Sequence, residues 1–344
     1  MNRKKILVTG GAGFIGGNFV QYMVNKYPNY DIYNLDLLTY AGDLTKHREI
    51  ENKSNYYFVK TDIADREAML ALFEKEKFDY VAHFAAESHV DRSITEPGIF
   101  VKTNVLGTQV LLDASKQIGV TKFVHVSTDE VYGELDFDPT TFFTEETPLQ
   151  PNSPYSASKA SSDFLVRAYH ETFGLPVNIT RCSNNYGPFH FPEKLIPLTI
   201  SRVLNEEKVP VYGDGKNIRD WLHVLDHCAA IDLVLHEGVN GEVYNVGGHN
   251  ERTNLEVVKT IISTLGKSED LIEFVADRLG HDKRYAIDPT KLEKLGWKPT
   301  YTFETGIAHT INWYLNNKWW WEQIISGEYQ SYFNMQYATK LNLK

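Results

Sequence analysis

The sequence predicts an α/β protein with a doubly wound parallel sheet, followed by a smaller C-terminal lobe. Strand-like and helix-like segments alternate through the first half of the chain, and a glycine-rich turn joins the first strand to the first helix. After Asn184 the segments become shorter and prolines separate them. Right-handed crossovers bring the carboxyl ends of parallel strands to one edge of the sheet, where ligands of such proteins bind.

The individual elements follow from apolar periodicity and length. In the first half we predict strands at Lys4–Val8, Asp31–Leu35, Tyr56–Lys60, Tyr80–Ala85, Lys122–Ser127 and Val177–Arg181, and helices at Phe14–Val24, Arg66–Lys75, Phe100–Gln117 and Ala157–Phe173. In the second half we predict helices at Ile196–Leu204, Asp226–His236, Leu255–Leu265 and Gly306–Tyr314, and strands at Val209–Tyr212 and Glu242–Val246. The expected domains are 1–185 and a substrate-binding lobe over 186–344, with some segments of the lobe returning to the first domain.

The glycine-rich turn predicts a dinucleotide site of the Rossmann type. Gly10, Gly13 and Gly16 lie at a spacing of three between the first strand and the first helix. Glycines there allow a tight turn and a close approach of the backbone to a pyrophosphate at the helix N-terminus. Asp36 follows the second strand, and a carboxylate at that position accepts hydrogen bonds from a ribose 2′-hydroxyl and repels a 2′-phosphate. We therefore predict NAD as the cofactor, in preference to NADP.

Composition excludes several classes of protein. The chain has 344 residues, 42% of them hydrophobic, and a formal net charge of −10 without a long basic run, which argues against nucleic acid and anionic membranes as partners. Cys182 and Cys228 have no metal-ligand spacing, so we expect two buried thiols and no metal site. No apolar stretch has the length of a signal peptide or a membrane span, which predicts a cytoplasmic protein.

A tyrosine and a lysine four positions apart are the first candidate catalytic pair. Tyr155 and Lys159 share one face of the predicted helix. An ammonium group near a phenol stabilises the phenolate, so we expect the pKa of Tyr155 to fall toward neutrality and Tyr155 to act as a base.

A hydroxyl and two carboxylates follow the fifth strand directly, in the run Ser127-Thr128-Asp129-Glu130. Two crowded acids tend to separate in pKa, which supplies a general acid and a general base side by side. The alternative is a helix N-cap followed by a solvated acidic loop, because Ser, Thr and Asp often cap helices.

Other polar residues also follow strands. The run Ala85–Ser93 contains small residues that allow close approach of a ligand, and its His89 is more plausible as a structural residue than as a catalytic one. Asn184 and Asn185 offer amides to a cofactor or a sugar. The candidates for a diphosphate site are Arg219 and the pair Arg278 and His281. Trp319, Trp320 and Trp321 are expected to pack against the body of the protein.

These motifs together resemble the extended short-chain dehydrogenase/reductase family over nearly the whole chain. Within it, Ser127–Gly133 resembles the signature of the dTDP-glucose 4,6-dehydratases, which act in deoxysugar nucleotide biosynthesis such as that of dTDP-rhamnose. Three further stretches carry the same resemblance: Ala85–Ser93, Arg181–Pro188 continuing to Pro192–Pro197, and Asp277–Asp288.

The resemblance implies a hydro-lyase that acts on dTDP-glucose with a retained NAD. Tyr155 would take the proton of the 4-hydroxyl while C4 gives its hydride to NAD, Thr128 would bond the C4 oxygen, and Lys159 would hold the ribose. Glu130 would then remove the C5 proton while Asp129 protonates the departing 6-hydroxyl. Return of the hydride to C6 would leave dTDP-4-keto-6-deoxyglucose.

The resemblance also implies the binding residues and the assembly. The cofactor would contact Gly10, Gly13, Phe14, Ile15, Gly16, Asp36, Leu37, Asp62, Ile63, Ala85, Ala86, Ser88, Thr103, Tyr155, Lys159 and Asn185. The sugar nucleotide would contact Ser88, Thr128, Asp129, Glu130, Asn184, Lys194, Leu195, Pro210, Val211, Tyr212, Arg219, Asn254, Arg278 and His281. Family members are usually homodimers through the helices near 100–117 and 157–173.

Two residues depart from the pattern of the family. Gly17 stands where serine is expected, which would loosen the start of the first helix, and Leu279 stands where proline is expected. Two alternatives within the enzymes stay open: a dehydratase for another nucleotide, since the residues do not distinguish thymine from uracil, and a 4-epimerase, against which the Asp129–Glu130 pair argues. A catalytically inactive NAD-binding module is the alternative outside the enzymes.

Overall fold

A seven-stranded parallel sheet forms the centre of the protein. The computed structural model describes residues 3–277 and 281–325. The strands of the sheet are β1 (Lys4–Thr9), β2 (Tyr30–Asp36), β3 (Tyr56–Lys60), β4 (Tyr80–His83), β5 (Lys122–Thr128), β6 (Val177–Cys182) and β10 (Val243–Val246), in the order β10-β6-β5-β4-β1-β2-β3. The predicted fold class, a doubly wound α/β sheet with a smaller C-terminal lobe, is confirmed.

Helices cover both faces of this sheet and build most of the C-terminal lobe. They are α1 (Phe14–Lys26), α2 (Arg66–Glu76), α3 (Val90–Thr95), α4 (Pro97–Phe100), α5 (Thr108–Ile118), α6 (Pro154–Phe173), α7 (Leu195–Leu204), α8 (Val224–Glu237), α9 (Asn254–Thr264), α10 (Thr290–Lys294), α11 (Phe303–Asn316) and α12 (Lys318–Ile325). One apolar layer lies between the sheet and α1 and α8, and a second lies between the sheet and α2, α5 and α6. This double cover explains why the strands are apolar on both faces.

The predicted helix over 100–117 differs from the observed one. The helical path begins at Pro97, and Val101–Gly107 is wound as a π-helix before α5 continues. The π segment directs Asn104 toward its neighbours: the amide accepts from the Glu87 N–H at 2.8 Å and donates to the Ser158 hydroxyl at 2.8 Å. A π-helical turn of this kind is frequent at functional sites, and residue periodicity does not reveal it.

Four short strands described in the second half were not predicted: β7 (Asn184–Tyr186), β9 (Ile218–His223), β11 (Glu251–Thr253) and β12 (Ile272–Val275). β9 pairs with β7 and β11, while β12 pairs with β8 (Val209–Tyr212), which the sequence did predict. β9 lacks the usual apolar alternation because it carries the buried charges of Arg219 and Asp220. The Asp220 carboxylate is satisfied by the N–H groups of Gly248 and Asn250, each at 2.7 Å.

The core of the lobe is rich in aromatic side chains. Trp320 and Trp321 are buried in it, as the sequence predicts, whereas Trp319 is 43% exposed. Cys182 and Cys228 are buried free thiols, also as predicted. Within residues 3–277 and 281–325, no helix combines the length and apolar character that a membrane crossing requires, and no three His, Cys, Asp or Glu side chains group as metal ligands.

Candidate active site

A cavity of about 490 Å³ opens along the carboxyl ends of the strands of the large sheet. Every catalytic, cofactor and substrate residue that the sequence predicts, Arg278 excepted, lines this one cavity. Arg278, together with the departure at Leu279, lies outside the described residues. The fold therefore brings residues that lie up to about 270 positions apart in the sequence, from Gly10 to His281, to a single site.

The glycine turn has no room for side chains. Gly10 has a φ of +69°, and a Cβ built on it would lie 2.6 Å from the Ala85 nitrogen. A Cβ on Gly16 would lie 2.3 Å from the Gly10 carbonyl oxygen. Helix α1 begins at Phe14, and no side chain caps it. The first amides of α1 therefore face the cavity as free donors, which suits a phosphate group.

The Asp36 carboxylate is held in place by the backbone around the glycine turn. Its Oδ2 accepts the Ala12 N–H at 3.0 Å, and its Oδ1 accepts the Leu38 N–H at 2.8 Å. These two bonds fix the carboxylate at the cavity wall, where its remaining lone pairs can accept ribose hydroxyls.

The acidic pair follows β5 in a single turn of 3₁₀ helix. The Thr128 hydroxyl caps this turn: it accepts the Glu130 N–H and donates to Asp129 Oδ1, both at 3.3 Å. Asp129 is 2% exposed, and its Oδ2 has no hydrogen-bond partner among the described residues. Burial, with the nearby Glu130 carboxylate, raises the pKa of Asp129 well above its usual value. Asp129 is thus a buried acid and not part of a solvated loop, and its surroundings favour the protonated form of its carboxyl group.

Tyr155 and Lys159 lie in the first turns of α6, which Ser153 and Ser156 fix in a capping box. Both side chains are buried, and the Lys159 ammonium donates to the Val126 carbonyl oxygen at 2.9 Å. Burial lowers the pKa of Lys159 to about 8. The pair is therefore positioned by the strand that also carries the acids.

The expected lowering of the Tyr155 pKa is wrong for the polypeptide by itself. Burial raises the pKa of Tyr155 well above its usual value, and the Glu130 carboxylate adds to the effect. The Thr128 hydroxyl opposes it as a hydrogen-bond donor. Sequence spacing shows the lysine one turn away, but it shows neither the desolvation nor the carboxylate, and these two dominate.

Arg219 and His281 of the C-terminal lobe also line the cavity. The Arg219 guanidinium donates to the carbonyl oxygens of Ile218 at 2.7 Å and Asp282 at 2.9 Å, and it lies 4.3 Å from the centroid of the Tyr285 ring. His281 Nδ1 is 2.6 Å from the Asp277 carboxylate. These contacts orient two groups that can bind an anion.

Sequence reasoning missed several residues of the cavity wall. Tyr40 and Lys46 come from the loop after β2, and Glu193 comes from the loop before α7. His89, interpreted as structural, also lines the cavity, with its Nε2 3.6 Å from the Glu193 carboxylate. The loops have no periodicity that would indicate which side chains turn inward, so no local signal identifies them.

Comparison with known proteins connects this geometry to a family. The family model described as GDP-mannose 4,6 dehydratase matches residues 7–310. A dTDP-glucose 4,6-dehydratase of Xanthomonas campestris is 54% identical over 343 residues, covering 94% of this chain and 97% of the relative. One from Escherichia coli is 50% identical, with coverage of 94% and 97%. The chain belongs to the dTDP-glucose 4,6-dehydratase family.

Solved structures of this family share the fold. The dTDP-glucose 4,6-dehydratase of Bacillus anthracis, in complex with NAD, has a TM-score of 0.87 and 52% identity, covering 93% of this chain and 99% of that one. The Streptomyces venezuelae dTDP-glucose 4,6-dehydratase, with NAD and TYD bound, has a TM-score of 0.89 and 48% identity, with the same coverage. A UDP-glucose 4-epimerase from Thermotoga maritima also reaches a TM-score of 0.85, at 31% identity and coverage of 91% and 99%. The fold is thus common to dehydratases and epimerases, and side chains must distinguish them.

Proposed function

We propose that this protein converts dTDP-glucose to dTDP-4-keto-6-deoxyglucose and water, with NAD that is regenerated in each turnover. The observation that carries the proposal is the buried Asp129, whose pKa is raised, beside Glu130 in the cavity that Tyr155 and Lys159 also line. Elimination of water needs an acid for the leaving oxygen and a base for the C5 proton. An epimerase, which only removes and returns a hydride at C4, needs neither group.

The residues around the glycine turn fit the NAD that dehydratase relatives bind. The close backbone approach at Gly10, the uncapped start of α1 and the fixed Asp36 carboxylate suit its diphosphate and adenosine ribose. When bound, NAD accepts a hydride from C4 of the sugar and returns it to C6. The cavity volume of about 490 Å³ falls in the usual range for small-molecule sites.

The first step rests on Tyr155, Thr128 and Lys159. Tyr155 removes the proton of the 4-hydroxyl, and the Thr128 hydroxyl bonds the oxygen as its negative charge develops. Because burial and Glu130 hold the phenol in its protonated form, the positive charges of Lys159 and of the nicotinamide ring must supply the stabilisation of the phenolate. The new 4-ketone then makes the C5 proton acidic.

The second step rests on Asp129 and Glu130. Glu130 removes the C5 proton, and Asp129 gives its proton to the 6-hydroxyl, so that water leaves. The raised pKa of Asp129 favours the protonated form that this step requires. Reduction at C6 and protonation of C5 by Glu130 complete the product. The 4-hydroxyl proton that Tyr155 took is released to solvent, and Asp129 takes up a proton from solvent before the next turnover.

Incubation with a panel of nucleoside-diphosphate glucoses tests the proposal and its alternatives. We expect dTDP-glucose to give the alkaline chromophore of a 4-keto-6-deoxy sugar, with no net change in NAD. A product that lacks the chromophore and has an inverted C4 would favour the epimerase. NAD binding without turnover of any sugar nucleotide would favour the binding module. Preferred turnover of another nucleoside-diphosphate glucose would assign that compound as the substrate in place of dTDP-glucose.

Cofactor choice gives a prediction on Asp36. Asp36→Ala should reduce the preference for NAD over NADP by about tenfold or more, because it removes the acceptor for the ribose and the charge that repels a 2′-phosphate. Asp36→Asn is the matched variant, since it keeps an acceptor for a backbone amide while losing the charge. Calorimetric titration with both cofactors measures the ratio, and a wild-type protein that binds NADP as tightly as NAD would refute the assignment.

The assembly and location extend the proposal. We propose a homodimer through the π segment, α5 and α6, supported by exposed apolar side chains at Val101, Leu106, Phe164 and Phe173. Phe164→Glu should give a monomer in sedimentation analysis, and an unchanged sedimentation coefficient with wild-type activity would refute this interface.

We also propose 1–185 as the NAD-binding domain, 186–344 as mainly the substrate lobe, a cytoplasmic location, and a role in dTDP-rhamnose or related deoxysugar biosynthesis.

A further inference from the structure

Lys46 is a buried ammonium group at the cavity wall that the proposed chemistry does not use. Its side chain is 2% exposed, and its Nζ donates to the Ala12 carbonyl oxygen at 2.9 Å and the Ala41 carbonyl oxygen at 3.5 Å. Ala12 belongs to the glycine turn and directly precedes Gly13, the N-cap residue of α1. No carboxylate forms an ion pair with Lys46 among the described residues. Burial of a cation without a paired anion is costly.

Gly17 provides the space for this side chain. A Cβ at position 17 would lie 3.3 Å from Lys46 Cδ and 3.3 Å from the Gly11 carbonyl oxygen. α1 runs without interruption through Gly17, so the departure from serine does not loosen the helix as expected. The glycine instead admits the lysine stem between α1 and the loop after β2.

The loop that carries Lys46 is fastened from two sides. Asp43 caps the 3₁₀ turn Leu44–His47, and its Oδ2 accepts the indole N–H of Trp320 at 2.7 Å. The Trp320 ring also covers the ammonium, with its centroid 5.9 Å from Nζ. These contacts hold the Lys46 ammonium group in place at the cavity wall.

We infer that Lys46 is a further cofactor-binding residue, whose ammonium compensates the diphosphate of the dinucleotide, and that Gly17 is the substitution that makes room for it. The inference rests on the proposed NAD chemistry. Ala12 connects Lys46 to the proposed cofactor site: its carbonyl oxygen accepts from the Lys46 ammonium, and its N–H donates to the Asp36 carboxylate. An anionic group at the start of α1 would therefore be close to the Lys46 ammonium, which forms no ion pair with a carboxylate among the described residues.

The charge state of Lys46 gives a measurable consequence. Burial lowers the pKa of Lys46 to about 8, and the nearby carboxylates of Asp43 and Asp36 oppose this. The other titratable groups that face it are His47 and His190, and burial lowers their pKa values to about 4 and about 3, so neither changes charge near pH 8. A bound diphosphate raises the pKa of the ammonium. NAD affinity should therefore fall as the pH rises above about 8, with uptake of a proton on binding.

The test compares Lys46→Met with Lys53→Met, which removes the same charge from an exposed lysine outside the cavity. We expect Lys46→Met to raise the Kd for NAD about 10- to 100-fold at pH 7, the effect of one charge-assisted hydrogen bond, and the control to change it less than twofold. Calorimetry at pH 8.5 in two buffers should show less proton uptake in Lys46→Met than in wild type. Lys159 also has a pKa of about 8, but it contributes the same proton uptake in wild type and in Lys46→Met, so its contribution cancels in the difference.

Two further comparisons separate binding from stability. Lys46→Met should weaken ADP but not adenosine, which has no diphosphate, and release of NAD from the holoenzyme should accelerate in the same proportion as the Kd rises. Gly17→Ser should weaken NAD several-fold in the wild type and have no effect in Lys46→Met. Equal losses for ADP and adenosine, a lower Tm with unchanged NAD affinity and proton uptake, or additive effects of the two substitutions would overturn the inference. If the wild type itself does not bind NAD, the proposed function fails instead.

Discussion

Tyr155→Phe is expected to abolish the transient formation of NADH while NAD and dTDP-glucose still bind. Hydride leaves C4 only as the 4-hydroxyl proton leaves, and phenylalanine has no oxygen to receive that proton. Loss of a general base reduces the rate by about 10²- to 10⁴-fold. Stopped-flow absorbance of NADH in a single turnover measures this step directly.

Tyr169→Phe is the matched control for that experiment. It lies on the same helix about four turns beyond Tyr155, its hydroxyl donates to Asp113 of α5, and it does not line the cavity. The control should give a normal transient. A normal transient in Tyr155→Phe would show that another group is the base and that Tyr155 and Lys159 form a structural pair.

Lys159→Ala, by comparison, should weaken NAD retention as well as catalysis, because it also loses the proposed ribose contact.

Substitutions of the acidic pair are expected to stop the reaction after the first hydride transfer. Glu130→Gln should leave no base for C5, so substrate turned over in heavy water should gain no deuterium there. Asp129→Asn should retain C5 exchange but lose water about 10²- to 10⁴-fold more slowly, since an amide does not donate a proton of comparable acidity. Both variants should accumulate NADH, unlike Tyr155→Phe, and mass spectrometry and stopped-flow absorbance together separate the three cases.

The pH dependence of elimination follows from the environment of Asp129. A carboxyl group whose pKa is raised by burial is protonated below that raised pKa and ionised above it. The rate of water loss should therefore decrease as the pH rises through this pKa. If Asp129→Asn and Glu130→Gln both dehydrate the substrate at the wild-type rate, neither acid takes part.

The elements that the sequence predicted best are those with strong local signals. Runs rich in aromatic and β-branched residues marked β3 at Tyr56–Lys60 and β8 at Val209–Tyr212 with the observed bounds, because these residue types favour strands at the edge of a sheet as well as in its interior. The glycine turn was predicted because only glycine permits a φ of +69° and a backbone contact at Gly10. The strand-end positions of the acids and of Asp36 followed from the parallel sheet.

The features that the sequence could not predict depend on tertiary contacts. β9 was missed because its buried charges are compensated by backbone groups from a distant loop. The direction of the Tyr155 pKa was wrong because desolvation and Glu130 outweigh a lysine whose ammonium donates to Val126. Lys46 lies in a loop, and its place at the cavity becomes visible only through its contact with Ala12.

The most direct test of the account follows the hydride itself. dTDP-glucose carrying deuterium at C4 should give a product with one deuterium in its C6 methyl group, with the bound NAD unchanged after many turnovers. That result requires oxidation, elimination and reduction in one cavity on one cofactor. Deuterium that stays at C4, or that accumulates in NADH without reaching C6, would contradict the central claim that this protein is a 4,6-dehydratase.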